Sequence, residues 1–82
     1  MDAAVAFGKV LRRLRLEAGL TQEQLGLEAD LRRTYVSILE LGQQQPTLKT
    51  ILKLADALGR TAHDLVSMVE SELHEAERRK RR

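Results

Sequence analysis

The chain has 82 residues, 43% of them hydrophobic, a formal net charge of +2, and only Phe7 and Tyr35 as aromatics. That length holds one small domain, residues 1–82, whose core must be aliphatic. The absence of cysteine excludes disulfides and thiolate metal sites; no apolar run approaches a membrane span, and no signal-peptide pattern opens the chain.

Helical periodicity runs throughout, with no strand alternation, so the expected class is all-α. The first helix is expected over Ala3–Ala18, with Phe7, Leu11, Leu14 and Ala18 on one stripe and Gly19 as its stop. Thr21 with Gln24 three residues on is a capping-box pattern opening a second helix, whose Leu25 and Ala29 face inward. The chain then turns through Asp30 and Leu31. A third helix covers about Arg33 to Leu41, with Val36 and Leu39 inward and Gly42 as its stop. Arg32 stands at its cap position, which leaves Asp30 as the substitute N-cap.

Gln43-Gln44-Gln45-Pro46 is a connecting loop, since proline prevents one helix from running through. Thr47 caps a fourth helix with Leu48, Ile51, Leu52, Ala55 and Leu58 on its inner face, and Gly59 ends it. Thr61 with Asp64 opens a fifth, whose stripe continues through Leu65, Met68, Val69, Leu73 and Ala76.

Charge is uneven along the chain. Residues 1–60 hold nine Lys/Arg against seven Asp/Glu, residues 61–77 hold five acids and no Lys/Arg, and residues 78–82 are all basic. Acids early and bases late suit the dipole of the last helix, where Glu75–Arg79 and Glu77–Arg81 are pairs at i,i+4 spacing. The same basic cluster could alternatively add phosphate contacts. His63 and His74 are isolated, so no metal site and no cofactor is expected. No nucleophile–base pair or phosphate loop stands out, and the chain is not read as an enzyme.

The most specific stretch is residues 21–46: two short amphipathic helices joined by a tight turn, the second led by Arg32, Arg33 and Thr34. Such a pair can present one helix to the major groove of DNA while the other braces it. The run from Phe7-Gly8 through Leu14-Arg15, Gly19-Leu20-Thr21-Gln22, Leu25, Ala29, Tyr35-Val36-Ser37, Leu39-Glu40, Gly42, Pro46-Thr47-Leu48 and Leu54 to Gly59 resembles the Cro/cI-type (XRE) helix-turn-helix family of phage-type repressors and small bacterial regulators. The resemblance covers about residues 7–65, with the helix-turn-helix unit at about 22–41 and residues 66–82 as an extension of the fifth helix and a basic tail.

What the resemblance implies is a compact five-helix, lambda-repressor-like DNA-binding domain that binds double-stranded DNA as a homodimer. It maps Arg32, Arg33, Thr34, Ser37 and Ile38 onto positions that face base edges, and Gln22, Gln43, Gln44 and Lys49 onto positions beside the DNA backbone. It pairs Arg15 with Glu40 as a partly buried structural ion pair. Because the fifth helix outruns the usual family length, Leu65, Met68, Val69, Leu73 and Ala76 are the candidate dimer interface.

Gly26, where the family often has alanine, is expected to weaken the second helix by about 0.5–1 kcal/mol. The expected function is a sequence-specific transcriptional regulator, most simply a repressor, in the bacterial cytoplasm and on the nucleoid when bound. No membrane or small-molecule partner is expected. Exposed Leu16, Leu27, Ile38 and Leu41 supply the alternative, a protein-interaction module such as an antitoxin or a regulatory subunit on the same fold.

Overall fold

A computed structural model describes residues 1–81. Those residues form five α-helices: α1 (Ala3–Glu17), α2 (Gln22–Ala29), α3 (Arg33–Glu40), α4 (Leu48–Ala57) and α5 (Ala62–Lys80). Among the described residues there is no strand, and no helix is long and apolar enough to cross a membrane.

Short polar side chains start four of the helices. Asp2 accepts the Val5 N–H at 2.8 Å, and Thr47 accepts the Thr50 N–H at 3.1 Å. Thr21 and Gln24 exchange both bonds of a capping box, at 3.0 and 2.9 Å, as do Thr61 and Asp64, at 3.1 and 3.3 Å. α3 is the exception: Arg32 is its N-cap and makes no side-chain cap bond. Asp30 does not substitute, because it ends α2 instead, in the left-handed region at φ 57°.

Each helix contributes one fully buried leucine to the core: Leu11, Leu25, Leu39, Leu54 and Leu65. Burial of such a side chain stabilises by about 1.5–3 kcal/mol. Phe7, Val10, Leu14, Ala29, Val36 and Ala55 complete the cluster. α1 lies against α3 and α5, α2 against α3 and α4, and α4 against α5.

Three expectations about faces are corrected. Ala18 is exposed, since α1 ends at Glu17 before its stripe completes another turn. On α4, Leu48 and Leu52 are 70% and 53% exposed, whereas Leu54 is fully buried. The inner face of α4 is Thr50, Ile51, Leu54 and Ala55, turned from the expected one because α4 must meet both α2 and α5. On α5, Leu65 has no exposed surface to offer a partner chain, and Met68 and Val69 pack against the chain's own core. α1 accompanies α5 as far as Glu72, whose Oε1 lies 3.6 Å from Nη1 of Arg13. Leu73 and Ala76 are half-buried.

In the tail, the ion pair that forms is Glu75–Arg78 at i,i+3, 2.6 Å long, in place of the expected i,i+4 pairs. Arg82 lies outside the described residues.

Candidate nucleic-acid interface

The turn between α2 and α3 depends on a missing Cβ. Leu31 N–H donates to the Gly26 carbonyl at 2.8 Å, so the chain doubles back onto α2. A Cβ at Gly26 would stand 2.6 Å from the Leu31 carbonyl oxygen. Gly26 therefore costs helix propensity in α2 but makes room for the turn. Asp30 in its left-handed conformation completes the reversal.

The reversal sets the N-terminal end of α3 outward. Arg32, Arg33 and Thr34 are exposed, while Val36 and Leu39 anchor the opposite face in the core. Among the described residues neither Arg32 nor Arg33 takes part in an ion pair. Ser37 and Ile38, one turn further on, are half-buried and present less surface. Arg33 shares an open cleft of about 650 Å³ with Thr21, Gln22 and Glu23 at the start of α2. A cation and a helix N-terminus, with its free N–H groups, thus border one concavity.

Behind this edge lies a buried polar cluster. Arg15 Nε and Nη2 donate to the two carboxylate oxygens of Glu40 at 2.6 and 3.0 Å, and Nη1 donates to the Leu20 carbonyl at 2.9 Å. The Arg15 and Glu40 side chains are only 10% and 4% exposed. The hydrogen bonds to Glu40 raise the Arg15 pKa above its ordinary value, against the opposing effect of burial. Gln22 Nε2 adds a third donor to Glu40, at 3.1 Å. Among the described residues no buried side-chain nitrogen or oxygen lacks a partner. One carboxylate at the end of α3 therefore ties α1 and α2 to the recognition element.

The Gln22–Glu40 bond has no signal in the sequence: the two residues are 18 apart, and only the fold brings them together. Gln22, read as a backbone contact, has its side chain in this cluster at the α2 N-terminus. Gln43, Gln44 and Lys49 are exposed, on the loop after α3 and the first turn of α4. They stand apart from the Arg33 cleft.

Gly8 sets how closely α1 meets α3. A Cβ there would lie 2.5 Å from the Leu39 carbonyl oxygen and 2.6 Å from that of Glu40. Only glycine lets the end of α3 seat at this depth against α1.

A helix-turn-helix family model matches residues 11–65, which contain α2, the turn and α3. The chain belongs to the Cro/cI-type (XRE) helix-turn-helix family. Within that family it is 41% identical over 61 residues to the control protein C.BamHI of Bacillus amyloliquefaciens, covering 73% of this chain and 75% of that one. It is similar to the solved restriction-modification controller protein C.AhdI of Aeromonas hydrophila, with TM-score 0.74 and 45% identity over 76% of this chain and 94% of that one. It also resembles the controller protein C.Esp1396I, solved as a tetramer with its natural 35 base-pair operator, with TM-score 0.79 and 28% identity over 88% of this chain and 95% of that one.

Proposed function

We propose that this chain is a sequence-specific DNA-binding transcriptional regulator that acts as a homodimer, with α3 in the major groove of a palindromic operator. The observation that carries the reading is the leading edge of α3: Arg32, Arg33 and Thr34 exposed and unpaired, on a helix held from behind by the Arg15–Glu40–Gln22 cluster. A guanidinium can grip guanine through two hydrogen bonds, and each such pair is worth about 1–3 kcal/mol of discrimination. Thr34 and Ser37 supply hydroxyls for base edges or phosphates, and Ile38 an apolar contact for a thymine methyl.

The α2 N-terminus with Gln22, and beyond it Gln43, Gln44 and Lys49, would fix the register on the phosphates. Gln22 spends one N–H on Glu40 and retains a second for a phosphate oxygen. Repression follows wherever the operator overlaps a promoter. The reading places the protein in the bacterial cytoplasm, on the nucleoid when bound, and assigns it no catalytic step. Likeness to restriction-modification controller proteins supports it, one of them solved on its operator.

The test is selection of binding sites from random duplexes, followed by titration of the recovered site. An enriched inverted repeat is expected. Arg33→Ala should weaken binding by about 1–3 kcal/mol in each half-site, roughly 10- to 100-fold per half-site, and relax the preference at one base pair in each. A variant that binds every sequence as the parent does would remove Arg33 from base reading. A second reading, a protein-interaction module, is favoured by Leu27, Leu41 and Leu16, which are 77%, 65% and 54% exposed. Selection that enriches no motif would favour it.

A further inference from the structure

The side-chain amide of Gln22 lies where the buried polar cluster meets the open cleft. Its Nε2 donates to Glu40 Oε1 at 3.1 Å, and among the described residues Glu40 is the only hydrogen-bond partner that side chain has. The Glu40 side chain is 4% exposed, whereas Gln22 is half-buried and lines the cleft beside Arg33. One N–H therefore reaches inward while the rest of the amide stays accessible.

The amide at the end of a glutamine turns between broad, nearly equivalent orientations, so a free Gln22 would offer the cleft its oxygen as readily as its nitrogen. Glu40 removes that choice. Its two oxygens already accept from Arg15 at 2.6 and 3.0 Å, and a carboxylate paired in this way can only accept. It holds the amide by its nitrogen. Reversal would set the Gln22 oxygen against the carboxylate and put a lone pair where the second N–H now points. A phosphate oxygen accepts from that N–H and repels the lone pair.

We propose that Glu40 is a positioning residue for DNA: it fixes the Gln22 amide, before DNA arrives, in the orientation that donates to a phosphate. This role rests on the DNA-binding reading above and gives the buried pair a part in affinity besides holding α3. Ordering a flexible side chain on binding lowers affinity about 2- to 12-fold, equivalent to about 0.5–1.5 kcal/mol. The bond to Glu40 orders Gln22 during folding instead.

Titration of the selected operator tests this, with the parent, Gln22→Ala, Arg15→Met with Glu40→Leu, and all three substitutions together. The apolar pair removes the acceptor without stranding a charge, and such exchanges of buried ion pairs often leave stability unharmed. Circular dichroism should show the parent's helix content. Gln22→Ala should weaken the parent by the same factor on the operator and on its single-base variants, since a phosphate contact carries no sequence information. In the apolar-pair background the loss should be smaller, by about 2- to 12-fold per half-site. A purely structural ion pair gives equal losses in the two backgrounds; that result overturns the role of Glu40 and leaves the DNA reading intact. A Gln22→Ala variant that binds as the parent does overturns the phosphate contact and the role of Glu40 with it. NMR of the isotopically labelled free parent checks the orientation even where the apolar pair does not fold. The Gln22 side-chain N–H on Glu40 should exchange with solvent more slowly than those of exposed Gln43 and Gln44. Exchange as fast as theirs overturns the proposal. A parent that selects no motif overturns it together with the DNA-binding reading.

Discussion

Glu40 carries the most concentrated dependence of any single side chain. Its carboxylate accepts two bonds from Arg15 and one from Gln22 in a nearly solvent-free position. Glu40→Ala leaves the Arg15 charge without its counterion and the Gln22 amide without an acceptor. The expected loss is about 3 kcal/mol of unfolding free energy by urea titration, and Glu40→Gln should lose less. The Arg15 pKa is raised, so this guanidinium's contribution is fully present below its unfolded value and is lost only as pH climbs through the folded one. The Arg15 side of the pair is therefore insensitive to pH across the neutral range.

Gly8 is the second decisive residue. Alanine normally improves a helix interior by about 0.5–1 kcal/mol. Here the added Cβ meets two backbone carbonyls that cannot rotate away. Gly8→Ala should therefore destabilise by about 1–3 kcal/mol, and a raised melting temperature would refute the close seating of α3 on α1.

Among the elements, α3 and α4 show opposite relations between pattern and packing. α3 is led by two arginines and has a narrow inner face of Val36 and Leu39, so its orientation is readable before the fold is known. α4 is apolar over much of its circumference, with leucines at 48, 52 and 54, Ile51 between them and Leu58 at its C-cap. More than one helical face then satisfies the 3.6-residue period, and periodicity alone cannot choose. Contact with α2 on one side and α5 on the other makes the choice. Leu54→Ala, at a fully buried position, should cost about 2–5 kcal/mol in chemical denaturation. A small effect would restore the face expected from the sequence.

For the whole molecule, the distribution of charge matters more than the net value of +2. Each copy exposes three cations on the proposed DNA face: Arg32, Arg33 and Lys49. A dimer that uses all of them neutralises at most about six phosphates, and the logarithm of its affinity should fall with the logarithm of salt at a slope no steeper than about −5. Titration in increasing potassium chloride measures it. A steeper slope would bring the basic tail from Arg78 onward into contact with DNA.

The caps, the helix count and the helix-turn-helix were legible in the sequence because each rests on interactions within a few residues. Thr21 with Gln24, Thr61 with Asp64, and glycines at positions 19, 42 and 59 act locally. The exposed arginines of α3 were legible because charge at the front of a short helix has few other places to go. Asp30 and Ala18 were misread for the same kind of reason: a cap or a stripe end is settled by where the neighbouring backbone turns. The Arg15–Glu40 pair was implied by resemblance alone. Its third donor Gln22 and its hold on the Leu20 carbonyl exist only in three dimensions. Sequence by itself determined that five helices form and which edge is basic, since backbone hydrogen bonding and capping are local. Tertiary structure decided which faces of α4 and α5 are inside, because burial depends on the neighbours a helix meets and not on its own period.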